Sequence, residues 1–405
     1  MRRNHNREIE LFDFPFEDNI DLLSAFVTEW SKGDGPIRSA LQANLPEATG
    51  FHAETVKKGL AVAWDGFNGT DLWECVEREL LKPLRTSSPR GFRNTAIILA
   101  GSLPMPAWHG ILLPLALRSK VYVKPSRHDP VSARIFLKAL AQTSPIHAEA
   151  VEIAPTDDRK SLEKEIGKSE CVVVYGANAT IELIRCQLPA NKRLVSYGHR
   201  ISCGVVGKIK AAQELQEAAT SLALDIALWD QLGCLSPVEV FVQNGTIDDL
   251  ADELANQLQS AENKWPRGQR DDLANVALAS AISDAEFRAA ANPRTRTLVG
   301  SNNEWVVVRE SDNRPRPNPL NRFIRLRPFD NLSDLANALD PLSRHLACIG
   351  ISDSFAQNLE AIEVISRARP SRICRLGQMQ SPPFSWHHDN QSILTPLSIA
   401  TDVEV

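Results

Sequence analysis

The sequence predicts an α/β fold whose sheets are mainly parallel and covered on both faces. Three observations carry this reading. Short apolar runs recur, the clearest being Cys171-Val172-Val173-Val174-Tyr175, which offers water no charged side chain. Stretches of helical length and spacing separate the runs, as parallel strands buried on both faces require. The alternation occurs before and again after about residue 207, and 405 residues suffice for two or three lobes.

Residues up to about 90 read as helical and polar, with breaks at Gly33-Asp34-Gly35-Pro36 and Gly66-Phe67-Asn68-Gly69. Strands are then predicted at Thr95–Ala100, Lys120–Lys124, Ala150–Ile153, Cys171–Tyr175 and Leu194–Tyr197. The helices between them are Ala107–Leu117, Pro130–Gln142, Arg159–Gly167 and Asn178–Gln187. In the second half, Ala211–Leu228 and Ile247–Ala261 read as helices. Val238–Val242, Trp305–Val308, Phe323–Leu326 and Cys348–Ile351 read as strands, and the proline-bearing stretch Asp312–Asn321 reads as a loop. Sheets of this kind bind ligands at the carboxyl ends of their strands, so the first half is expected to form a nucleotide-binding lobe.

Composition narrows the function classes. The formal net charge of −5 gives no electrostatic footprint for nucleic acid. The seven cysteines are odd in number and contain no CxxC pair, which argues against a disulfide framework or a thiolate metal site and suits a reducing, cytoplasmic setting. The nine histidines form no HExxH. His387-His388-Asp389 is their one cluster with an acid, and adjacent residues point in different directions, so no metal is expected. Met1–Glu8 runs into acidic sequence and is not read as a secretory leader. Thr95–Leu117 is long and apolar enough to span a bilayer, but Pro104, Pro106, Pro114 and His109 interrupt it. It reads as strand, turn and helix, and no membrane span is expected.

Cys234 lies where a helical stretch leads through Gly233-Cys234-Leu235-Ser236-Pro237 into a strand. A thiol in such a junction fits two readings: a small buried hydrophobe, or a nucleophile whose oxyanion is stabilised by loop N–H groups. The first lobe lacks GxGxxG, unlike an ordinary dinucleotide fold. It has Gly101-Ser102-Leu103-Pro104 after its first strand and Lys124-Pro125-Ser126-Arg127 after its second. Lys124 could bond ribose hydroxyls, and the planar fork of Arg127 matches phosphate oxygens; both residues also suit solvated turns. Gly176, ending a strand and opening a helix, suits either close backbone approach to an anion or a simple helix cap.

These blocks, with Tyr197-Gly198-His199-Arg200, Trp229–Pro237 and Met379–Asp389, resemble the aldehyde dehydrogenase superfamily, and within it the LuxC-type acyl-CoA reductases. The resemblance runs from about Gly91 to the C-terminus. It implies an aldehyde dehydrogenase-like chain: an N-terminal helical region (1–90) packed on the first lobe, a Rossmann-like NADP-binding lobe (91–207), a catalytic lobe carrying Cys234 (208–380) and a C-terminal segment (381–405) returning to the first lobe. Cys234 matches the catalytic cysteine, Lys124 the lysine that contacts the adenosine ribose, and Gly176 the glycine of the cofactor-facing turn. Ser126 and Arg127 complete the cofactor turn. An arginine where NAD-preferring relatives often carry an acid implies NADPH. The oxyanion asparagine of the superfamily is here Ser102. Its water-activating glutamate is missing from Ser196-Tyr197-Gly198-His199, so hydrolysis of an acyl-enzyme is expected to be slow.

The implied activity is NADPH-dependent reduction of an acyl-CoA, of fatty acyl type, to the aldehyde through S-acyl-Cys234. Reduction of an acyl phosphate, or a subunit carrying an acyl group for a partner, are the alternatives. The implied partners are the acyl thioester, an acyl-protein synthetase or acyl carrier protein, and further copies of the chain in a homo-oligomer. His199 and His388 are candidate proton donors.

Overall fold

A computed structural model describes residues 10–84, 89–155 and 159–401. Met1–Glu8, read above against a leader, lies outside the described residues. The chain divides into two compact units. The first is residues 1–49, 65–198 and 383–405; the second is residues 50–64 and 199–382. The helical stretch Ala53–Trp64, expected with the N-terminal region, therefore groups with the second unit.

The first unit is built on β1 (Asn94–Ile98), β2 (Lys120–Lys124), β3 (Val151–Ile153), β4 (Cys171–Tyr175) and β5 (Arg193–Tyr197), all parallel, in the order β3-β2-β1-β4-β5. Its apolar runs are buried because helices cover both faces. Ile98, Val172 and Val174 pack with Ile181 and Ile184 of the helix Asn178–Gln187. On the other face Gly110, in the helix Met105–Ala116, approaches Ile97 so closely that a Cβ there would lie 3.1 Å from Ile97 Cγ2. The C-terminal segment belongs to this unit: Ser398–Ile399 pairs antiparallel with Arg90–Gly91. The buried Glu79 carboxylate, in a π-helical turn over Glu77–Leu81, accepts the N–H groups of Ile393, Leu394 and Thr395.

The second unit holds a seven-stranded sheet: β6 (Ile201–Val206), β7 (Pro237–Gln243), β8 (Arg296–Val299), β9 (Val306–Arg309), β10 (Phe323–Phe329), β11 (Leu346–Ile351) and β12 (Arg372–Arg375). Their order is β12-β11-β6-β7-β10-β9-β8, and only the β8–β9 pairing is antiparallel. Cys203, Val205, Phe241 and Ile349 pack against Leu335, Leu339 and Ile365, from the helices Leu332–Leu339 and Leu359–Arg367.

Candidate active site

In the first unit strand order reverses between β1 and β4, and the crevice at such a switch point is where open α/β sheets hold ligands. Gly101 and Ser102 follow β1, and Gly176 follows β4. Lys124, half-buried, ends β2 beside them. Gly101 adopts φ +82°, and no atom lies within 4 Å of the position its Cβ would take. Gly176 is different. Its φ is not left-handed and an added Cβ would meet only Ala100, at 3.8 Å, so packing alone does not require glycine. Its N–H is committed to the Tyr197 carbonyl (3.1 Å). Ser126 is buried and accepts the His128 N–H (3.1 Å), which shapes the turn, whereas Arg127 is exposed. Asp129 receives the N–H groups of Val131 and Ser132, anchoring the start of the helix Ser132–Thr143.

Sequence reasoning missed a column of rings in the same unit. Tyr175 and Tyr197, the last residues of β4 and β5, stack at 4.7 Å. Tyr197 stacks on His388 at 4.4 Å, and His388 on Trp386 at 4.8 Å. The Asp389 carboxylate accepts the Gly198 N–H (3.3 Å), while the Ser196 carbonyl accepts from Gln391 (3.3 Å). A carboxylate thus reaches this bend from the C-terminal segment rather than from its own strand. The available signals were the clustered aromatic and histidine residues at 386–388 and two of the chain's three tyrosines at strand ends. His109 is uncharged at neutral pH, because burial, and then the neighbouring His388, push its imidazole down to about 3.

In the second unit Cys234 is exposed, in a turn entering the amino end of β7. The thiols of Cys75 and Cys171 are buried and pushed up to about 12, chiefly by that burial, and burial raises Cys203 as well. Exposure singles out Cys234 and Cys186 among the seven, and only Cys234 sits in a built loop. The Gly233 carbonyl accepts the Ser236 N–H (3.0 Å), closing the turn, and the Cys234 carbonyl accepts the Ser202 hydroxyl (2.7 Å).

What precedes the turn is unusual. Trp229, Asp230 and Gln231 all have left-handed φ, of 54°, 50° and 64°, a conformation costing roughly 1–2 kcal/mol per non-glycine residue. Each is held by its side chain. The wholly buried Trp229 indole fills space that exists because residue 59 is glycine: a Cβ there would lie 2.4 Å from Trp229 Cζ2. Asp230 binds the Arg322 guanidinium (2.7 Å) and accepts the Gly268 N–H (3.0 Å). The Gln231 amide donates to the carbonyls of Pro237 (2.7 Å) and Phe323 (2.8 Å) and accepts the Phe323 N–H (2.9 Å). The partner segment Leu320-Asn321-Arg322 is itself left-handed, at 61°, 59° and 65°.

Among the described residues no cluster of three or more His, Cys, Asp or Glu could hold a metal ion, and no helix is long and apolar enough to cross a membrane.

Comparison with known proteins agrees with this architecture. Residues 11–400 match the family model of the acyl-CoA reductases (LuxC). A long-chain acyl-protein thioester reductase of Photobacterium leiognathi is 21% identical over 252 residues, 61% of this chain; the chain spans about half of that relative's length, 51%. Aldehyde dehydrogenase 21 of Physcomitrella patens superposes with a TM-score of 0.73 at 12% identity, over 96% of this chain and 86% of that one. The NADP-dependent glyceraldehyde-3-phosphate dehydrogenase of Bacillus halodurans, solved with NADP, gives 0.70 at 12%, over 96% and 86%. The chain therefore belongs to the acyl-CoA reductase (LuxC) family and is built on the aldehyde dehydrogenase fold.

Proposed function

We propose that this protein reduces a fatty acyl thioester to the aldehyde through an S-acyl intermediate on Cys234, with NADPH as reductant. The observation that carries the reading is the exposed thiol in a turn whose approach is fixed by buried side chains. The Cys234 thiolate attacks the thioester carbonyl, its own N–H donates to the oxyanion, and the leaving thiolate takes up a proton. The role of Ser102, a second oxyanion donor, rests on the family resemblance.

NADPH, when bound, supplies the hydride that brings the acyl carbon to the aldehyde level. The residues at the carboxyl edge of the first sheet suit it. Open space adjoins Gly101, Lys124 ends β2 at that edge, and Arg127 offers an exposed guanidinium to a 2′-phosphate. Collapse of the reduced adduct returns the Cys234 thiolate. Position 196 is a serine, which is no general base of the kind that activates water, and this favours aldehyde over acid as the product.

Similarity to a long-chain acyl-protein thioester reductase favours an acyl group delivered as a protein thioester, so the proposed donors include an acylated protein. The test offers acyl-CoA, an acylated protein and an acyl phosphate separately, with NADPH, and traps the aldehyde. Aldehyde from a thioester that vanishes in Cys234→Ala is expected. Aldehyde from the phosphate alone, or label on Cys234 without NADPH oxidation, would overturn the proposal.

A further inference from the structure

We infer that Ser202 is a positioning residue for Cys234. The inference rests on the nucleophile reading above and adds a residue to which that reading gives no part. Ser202 lies on β6 and is wholly buried. Its hydroxyl accepts the Cys348 N–H (3.1 Å) from β11 and donates to the Cys234 carbonyl (2.7 Å). The direction of the proton is fixed, since a carbonyl only accepts.

Both neighbouring strands carry an extra residue opposite this serine. Against β7, Ser202 pairs with Pro237 but Cys203 with Glu239. Against β11, Ile201 pairs with Leu346 but Cys203 with Ile349. Register shifts of this kind re-aim side chains beside active sites, and here one lies on each side of the serine.

The consequence for Cys234 is geometric. Two peptide groups flank its Cα. The preceding one is held through the Gly233 carbonyl by the Ser236 N–H, and the Ser236 hydroxyl is in turn held by Gln380 (2.9 Å). The following one is held through the Cys234 carbonyl by Ser202. With both planes fixed, the directions of the Cα–Cβ bond and of the Cys234 N–H are set before substrate arrives. Without the hydroxyl the second plane can rotate, and thiol and N–H lose their common aim.

Ser202→Ala should slow thioester acylation of Cys234 by about 10- to 100-fold, the scale of a misplaced reacting group, while the KM for NADPH stays unchanged. Ser202→Cys, near-isosteric and a poor donor, should match it, and Ser202→Thr should restore most of the rate. Alkylation by iodoacetamide needs no oriented carbonyl, so its rate and pH midpoint should stay as in the wild type. A merely structural serine would instead slow acylation and alkylation together, in step with the folded fraction. Wild-type acylation in Ser202→Ala, or equal loss in the Ala and Thr variants, would overturn the inference while leaving the nucleophile intact. Reductase activity persisting in Cys234→Ala would sink the underlying reading, and this one with it.

Discussion

The two units solve the problem of an irregular loop in opposite ways. After β1 the chain enters the left-handed region on Gly101, where the backbone has no side-chain cost and the space beside it is open. Before Cys234 it enters the same region on Trp229, Asp230 and Gln231, with no glycine among them. On the proposed reading, a missing side chain is the asset where a ligand comes close to the backbone. Before the thiol, the backbone strain is tolerated because the side chains that incur it are also the anchors.

The largest expected effect comes from breaking the second solution. The Arg322 guanidinium serves Asp230, Glu262 (2.7 Å) and the Trp265 carbonyl (2.9 Å), and is itself buried. Arg322→Ala leaves two acids without their cation and should cost about 3–5 kcal/mol, with loss of thioester acylation. Urea unfolding checks this, and a loss under about 1 kcal/mol would show that the left-handed turn holds itself.

A smaller effect asks whether the first unit also depends on buried polar anchors away from its glycines. His147 Nε2 meets Asn19 Oδ1 (2.9 Å), and Ser144 Oγ meets His147 Nδ1 (2.6 Å). The Asn19 amide is committed to the Leu115 and Ala116 carbonyls, so Nε2 carries the proton and Nδ1 accepts. Burial pushes this imidazole down to about 4, whereas an unfolded histidine titrates near ~6.5. Between those values the unfolded chain binds a proton that the folded chain refuses. Stability is therefore full above the unfolded value and falls as pH drops through the window, by about 3 kcal/mol at its lower end. His147→Gln should flatten that part of the pH–stability curve; an unchanged slope would refute the assignment.

The smallest effect sharpens the glycine side. Gly101→Ala meets no atom and faces only the backbone cost, about 1 kcal/mol. Thermal unfolding should register that modest loss, while NADPH affinity falls because the new methyl enters the open space. Unchanged affinity would place the cofactor elsewhere.

Much of the sheet was legible because it is written locally. Lys120–Lys124 and Cys171–Tyr175 read as strands and are strands with those bounds, and Leu194–Tyr197 is short by one residue. Two of the missed strands, β6 and β12, are missing for particular reasons. Gly204 and Ser202 dilute the apolar run of β6, and β12 is an edge strand with an arginine at each end. The helix Asp272–Ala291 is rich in alanine and exposes Leu273, Val276 and Phe287, so no single apolar face announces it. At the site, the turn around Cys234 could be read because its residues are contiguous. The clamp could not, since Arg322, Gly59 and Ser202 meet it from distant parts of the chain. Nor could the ring column, which joins strand ends to residues near the C-terminus.

The bonds from Glu79 to Ile393, Leu394 and Thr395, and the pairing of Arg90–Gly91 with Ser398–Ile399, also bear on synthesis. Translation is vectorial, and domains generally fold as their residues emerge. The second unit has all its residues by 382, but the first, begun earlier, waits for residues 393–395 to satisfy a buried carboxylate made more than 300 residues before. Until then Glu79 needs water or a chaperone at that surface. A ribosome stalled before residue 393 would leave the lobe that starts first as the one left unfinished.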